Sequence, residues 1–281
     1  MNPKLELVRE EKLYKLLPGR KKKDRLEASG VAVVNGHAYV VFDSLNLVGK
    51  IDPSLKKRGS SELIPIASPG TGFEDIAYDP RGGRFYLIIE AARDTDGMYR
   101  GTVCEYDKDL RFQRCARLST AFESGNKGFE GVAHLRLGEK EYLLAMCEGN
   151  LCTDAKQGGG RIQVFGRTKE ETWKWSHQVD LPASAEFEDY AALKFHGDRV
   201  AVVSQASRRV WIGDIDQPAH AFAGEGIVYK FPSKSYCNVE GVAWLSDDLL
   251  VAVSDRRKKG EQPKRCADKD QSIHVFRIPS G

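Results

Sequence analysis

Short runs of β-branched and aromatic residues alternate with Gly, Asn, Asp and Pro along the chain, and the alternation itself recurs. One phrase marks the recurrence: Ser29-Gly-Val-Ala, Glu74-Asp-Ile-Ala, Glu130-Gly-Val-Ala, Glu188-Asp-Tyr-Ala and Glu240-Gly-Val-Ala. Each copy opens a run with strand character, and the copies stand 45 to 58 residues apart. That is the period of a four-stranded propeller blade. A second apolar run follows each copy and ends on a polar residue, at Asp43, Glu90, Glu148, Gln205 and Asp255. The pattern predicts an all-β, five-bladed β-propeller of four-stranded antiparallel blades in a single domain, with blades near 26–68, 72–120, 128–182, 186–233 and 238–279. Residues 4–18 read as a further strand, whereas the fifth repeat has only three. The amino-terminal strand is therefore expected to complete the last blade, which hides the unpaired edges and ties the termini together.

In a hairpin the start of one strand lies beside the end of the next, so both polar positions of every repeat belong to one face of the ring. The first set, Ser29, Glu74, Glu130, Glu188 and Glu240, is expected to converge on the axis. Carboxylates packed together raise one another's pKa and call for a counter-charge. All-oxygen ligands without His or Cys select a hard cation, here Ca2+, with Mg2+ as the alternative. The bland reading of the same set is capping of backbone amides at strand starts. The second set surrounds a pocket: Glu90, Glu148 and Asp255 are the candidate acids and bases beside the metal. Asp43, Asn150, Gln205, Arg93, Arg208 and Arg256 are the candidates for holding substrate. A surface ion-pair network is the plain alternative for the arginines. His134 reads as a core or channel-lining residue.

Composition narrows the partners. The 281 residues carry 43 basic and 40 acidic side chains, a formal charge of +3, so no global field selects a polyanion. The basic runs Arg20-Lys-Lys-Lys23 and Arg256-Arg-Lys-Lys259 lack interleaved aromatics, which speaks against nucleic acid. No stretch approaches a membrane span, and the first residues, with Glu6, Glu10 and Glu11, lack the apolar core of a signal peptide. Six cysteines fall into local pairs, 104 with 115, 147 with 152 and 237 with 266, pointing to a secreted or periplasmic protein; reduced thiols in a cytosolic one are the alternative. A small anionic molecule is the expected partner and a monomer the expected state.

The first repeat, Leu26-Glu-Ala-Ser-Gly-Val-Ala-Val-Val-Asn-Gly-His-Ala-Tyr-Val-Val-Phe-Asp43, resembles blade one of the calcium-activated nucleotidases, the apyrases with a five-bladed propeller and an axial calcium. The resemblance implies calcium contacts at Ser29, Glu74, Glu130 and Glu240, with Glu188 standing where that family can have serine. Asp43 is followed by Ser44 and Leu45, where the apyrases carry an acid-acid-arginine run that meets substrate phosphate. A shorter resemblance, Glu-Gly-Val-Ala with a strand ending in Ser-Asp, links the chain to bacterial phytase-like and esterase-like propellers. The expected function is a calcium-dependent hydrolase of a phosphorylated or otherwise anionic small molecule. The alternative is a non-catalytic, calcium-stabilised binding propeller.

Overall fold

A computed structural model describes residues 2–56, 59–122, 125, 128–149, 160–216, 221–256 and 263–279. The chain opens with β1 (Glu6–Lys12) and a single helical turn, α1 (Leu13–Leu16). Blade one comprises β2 (Ala28–Val34), β3 (His37–Phe42), β4 (Leu45–Ile51) and β5 (Glu62–Pro65). Blade two holds β6 (Phe73–Asp79), β7 (Arg84–Arg93), β8 (Tyr99–Asp107) and β9 (Phe112–Phe122). Blade three holds β10 (Phe129–Leu137), β11 (Lys140–Cys147), β12 (Arg161–Arg167) and β13 (Trp173–Asp180). Blade four follows with β14 (Ala192–His196), β15 (Arg199–Ser204), β16 (Arg209–Asp216) and β17 (Ala221–Lys230). Blade five has β18 (Val239–Trp244), β19 (Leu249–Ser254) and β20 (Ser272–Arg277), and β1 pairs antiparallel with β20 as its outermost strand. The five-bladed all-β ring and its closure by the amino-terminal strand are therefore as the repeats predict.

Two local expectations fail. The predicted strand over 4–18 stops at Lys12, because Leu13, Leu16 and Leu17 turn inward and bury themselves against blades one and five. The phrase at Glu188 opens no strand; β14 begins at Ala192.

Each blade is a separate sheet, so packing between sheets holds the ring together. Five apolar clusters lie one between each neighbouring pair of blades, with Trp211 between blades three and four and Tyr86 between two and three, both fully buried. Burying a side chain of this size contributes roughly 1.5–3 kcal/mol. A strand covered on both faces needs no alternation, which is why β15 and β19 read as continuous apolar runs. The outer strand β13 faces solvent and alternates loosely. The β2–β3 hairpin turns on Asn35 and Gly36, both at positive φ (49° and 76°), the conformation that an Asn-Gly turn supplies.

The inner strands share one irregularity. Pairing with the second strand skips a residue between Ala28 and Gly30, Phe73 and Asp75, Phe129 and Gly131, and Val239 and Gly241. The skipped residues are Ser29, Glu74, Glu130 and Glu240. A bulge leaves one residue out of the ladder and re-aims its side chain. Here the bulges turn Glu74, Glu130 and Glu240 into the axial cavity, while Ser29 turns to the Phe73 carbonyl.

Candidate functional site

The bulges open into a cavity of about 200 Å³ on the axis, lined by Glu27, Asp43, Glu74, Glu130, Glu148, Asp189, Tyr190, Ala191, Gln205, Glu240 and Asp255. Eight of these eleven residues are acids and none is basic. Glu74, Glu130 and Glu240 form its floor. All three are pushed well above the ordinary carboxylate range, first by burial and then by neighbouring carboxylates: Asp43 acts on Glu74, Glu74 on Glu130, and Asp255 on Glu240. Gln205 donates its amide to Glu240 Oε1.

The second set stands one residue beyond the pairing level of each bulge, as hairpin geometry requires. Asp43, Glu148, Gln205 and Asp255 line the cavity. Glu90 lies beside it, with one carboxylate oxygen within 4.8 Å of oxygens of Glu130 and Glu148. Burial raises Asp255 to about 6, so it titrates near neutrality, and its Oδ1 is buried without a hydrogen-bond partner. Burial, aided by Glu27, also raises Asp43.

Other predicted residues sit differently. Ser29 is buried and donates its hydroxyl to the Phe73 carbonyl at 2.5 Å, outside the cavity lining. Glu188 is exposed, and its backbone N–H bonds Ser207. In blade four Ala192 pairs with Val203 as Gly131 pairs with Met146, so Ala191, not Glu188, occupies the position of Glu130. The fourth repeat is thus displaced by three residues from the alignment that its Glu-Asp suggests. Its acid at the cavity is Asp189, two residues before Ala191, just as Glu27 lies two residues before Ser29. Asp189 is held by Ser204 Oγ (2.5 Å) and the Ala206 N–H.

The arginines stay off the lining. Arg93 is exposed at the end of β7, and Arg208 lines a separate cavity with Lys4 and Phe231. Arg256 reaches the Lys22 carbonyl (3.5 Å) and Asp270 (3.8 Å). Arg25, which the sequence reading overlooked, pairs with Glu27 at 2.7 Å and donates to the Arg256 carbonyl, placing the Arg25 guanidinium at the cavity rim. Asn150 and the 147–152 cysteine pairing lie outside the described residues.

Below the floor the axis is closed by a buried ion pair. Asp75 stands where other blades place Gly30, Gly131, Ala192 and Gly241, and Lys194 stands where they place Ala32, Ala77, Ala133 and Ala243. Small residues are needed at these levels because the axis is narrow: a Cβ on Gly30 would lie 2.5 Å from Asp75 Cα. Lys194 donates to Asp75 and to the Val132 carbonyl (3.0 Å), while Asp75 also accepts the Val132 N–H at 2.8 Å. Burial raises Asp75 to about 6 and lowers Lys194, yet each is the other's counter-charge. One signal in the sequence pointed here: aspartate replaces glycine in the second phrase. Its lysine partner was hidden by the misplaced fourth phrase.

The donor set fits a hard divalent cation. It is all oxygen and strongly acidic, and it offers more carboxylates than one ion needs, without competing ammonium or guanidinium groups on the lining. Disulfides Cys104–Cys115 and Cys237–Cys266 point to an oxidising compartment. No helix among the described residues is long and apolar enough to cross a membrane.

No protein-family model matches the chain, and no curated protein matches it. Among solved structures, the PQQ-bound aldose sugar dehydrogenase of Streptomyces coelicolor is similar with a TM-score of 0.59 at 12% identity, over 99% of both chains. Glutaminyl cyclase of Myxococcus xanthus gives 0.58 at 12% identity, over 97% of this chain and 95% of that one. CoXyl43, a GH43 β-xylosidase/α-arabinofuranosidase from a compost metagenome, gives 0.56 at 11% identity, over 97% and 94%. At these identities the likeness shows the fold alone: a β-propeller.

Proposed function

We propose that the protein is a hydrolase dependent on a divalent cation, calcium foremost and magnesium second, which acts at the acidic cavity on a phosphorylated or otherwise anionic small molecule. One observation carries this reading: Glu74, Glu130 and Glu240 are buried together with no basic residue on the cavity lining among the described residues. Glu74, Glu130 and Glu240 would hold the ion, with Glu90 and Glu148 completing its shell from above. The ion would supply charge neutralisation and polarisation of a bound oxygen. Asp255, titrating near neutrality with an unpartnered buried oxygen, is the candidate general base toward water. Gln205 fixes Glu240, and Asp43 faces the substrate. Arg25, paired with Glu27 at the rim, supplies positive charge that an anionic substrate needs outside the acidic lining. The GH43 β-xylosidase/α-arabinofuranosidase and glutaminyl cyclase, both named as enzymes, are consistent with chemistry on such a propeller. The likeness to apyrases is confined to blade one and the Glu240-Gly phrase, so nucleotides are one substrate class among several.

A panel of phosphate and carboxylate esters, assayed with calcium and with chelator, tests this reading. Turnover that needs the ion and is lost in Asp255→Asn supports it. Calcium-dependent melting without any turnover favours a binding propeller, and identical melting with calcium and chelator removes the ion altogether.

A further inference from the structure

At the far end of the axis, on the outer margin of blades two and three, lies a second titratable cluster that the acidic cavity does not use. Asp79 ends β6, His134 lies in β10 and Glu141 in β11, and one ligand atom of each falls within 4.8 Å of the others. The His134 and Asp79 side chains are 2% exposed. Two atoms are buried without any hydrogen-bond partner: His134 Nε2 and Glu141 Oε2, which face each other at 3.8 Å. That gap is too wide for a hydrogen bond and suits two ligands of one ion, each about 2.0–2.2 Å from it.

The surroundings hold the three groups in place. Arg136 Nη2 donates to Asp79 Oδ2 (2.6 Å) and Glu141 Oε1 (2.8 Å), gripping one oxygen of each carboxylate. Asp79 Oδ1 accepts the Arg81 N–H at 3.0 Å and lies 3.9 Å from His134 Nδ1. Tyr86 stacks on the imidazole at 5.1 Å and fixes its plane. A second guanidinium, Arg167, lies farther off, with Nη1 3.5 Å from Glu141 Oε2; its other nitrogen donates to Glu105 at 3.1 Å, which offsets its charge. His134 also lines a cavity of about 330 Å³ together with Tyr78, Phe195 and Trp244.

We propose that Asp79, His134 and Glu141 form a second, buried metal site, selective for a borderline divalent ion such as Zn2+ or Co2+. Imidazole is what separates it from the acidic cavity, whose oxygens prefer calcium. The site needs no hydrolase activity and stands whether or not the acidic cavity is catalytic.

The test is titration of metal-free protein with Co2+, followed by visible absorption, and with Zn2+, followed by calorimetry, both in excess calcium to occupy the acidic cavity. The expected result is one equivalent of Co2+ with ligand-field bands. Affinity should fall at least about tenfold in His134→Gln and in Glu141→Gln and stay unchanged in Glu130→Gln/Glu240→Gln. Glu141→Gln is the partly exposed member of the pair and keeps the test valid if His134→Gln does not fold. Absence of cobalt bands in the wild-type protein overturns the proposal. So does binding that survives in Glu141→Gln or disappears in Glu130→Gln/Glu240→Gln.

Discussion

The same five inner strands make two opposite environments at their two ends. At the bulged end like charges are gathered: eight acids line one cavity and the buried ones are pushed upward. At the far end charges are interleaved, Arg136 between Asp79 and Glu141, and Arg167 between Glu141 and Glu105. Between them the Asp75–Lys194 pair closes the axis. In the interleaved cluster arginines of the chain counter most of the carboxylate charge while His134 Nε2 and Glu141 Oε2 stay without a hydrogen-bond partner, whereas no basic side chain among the described residues lines the gathered acids. That difference in counter-charge, more than the depth of either cavity, separates the two ends.

The largest effect should come from breaking the divide. Lys194→Met leaves Asp75 buried without its counter-charge and should cost about 3–5 kcal/mol in urea unfolding. Adding Asp75→Leu should recover only part of this, because the Val132 N–H loses its acceptor. A loss under about 1 kcal/mol would mean that the pair does not close the axis.

Calcium comes next. Mass action predicts about 2.7 kcal/mol of added stability at a hundredfold excess over Kd. Glu130→Gln/Glu240→Gln should reverse the order: less stable than wild type in calcium, more stable in chelator, where repulsion is relieved. If the variant is less stable under both conditions, the gathered charge is not a strain.

The two ends of the pH scale separate two sets of carboxylates. Glu74, Glu130 and Glu240 have folded pKa values above 4.5, so the folded state holds protons that the unfolded state has lost. Their contribution should fall as pH rises above 4.5, and calcium should suppress this loss. Glu10, on the closing strand, is the converse: hydrogen bonding to His274 and Lys269 lowers it to about 2. Its contribution is present above 4.5 and is lost as pH falls toward 2; Glu10→Gln should flatten that acid limb of the melting profile.

The smallest effect should be Arg81→Glu. Its partner Glu139 is 86% exposed and Arg81 itself 59%, so the change should stay within about 1 kcal/mol and leave substrate turnover untouched. Arg25→Glu at the acidic rim should raise KM for an anionic substrate, and equal effects at Arg25 and Arg81 would erase the contrast between the faces.

The repeats by themselves determined the blade count, the strand order within blades and the closure by β1, because those follow from hydrophobic period and from the need to pair edges. Hairpin geometry also placed Asp43, Glu148, Gln205 and Asp255 at one cavity before any coordinates. What the tertiary structure decided was which residue of each phrase faces the axis. A bulge inserts one unpaired residue with no mark in composition, so Ser29 and Glu130 read alike although one turns into a backbone contact and the other into the cavity. In blade four the local similarity of Glu188-Asp to Glu74-Asp outweighed the true register, set by the pairing of Ala192 with Val203. The same displacement hid Lys194 from Asp75, 119 residues away. Contacts across the axis join all five blades at once, and a linear repeat records only what each blade does alone.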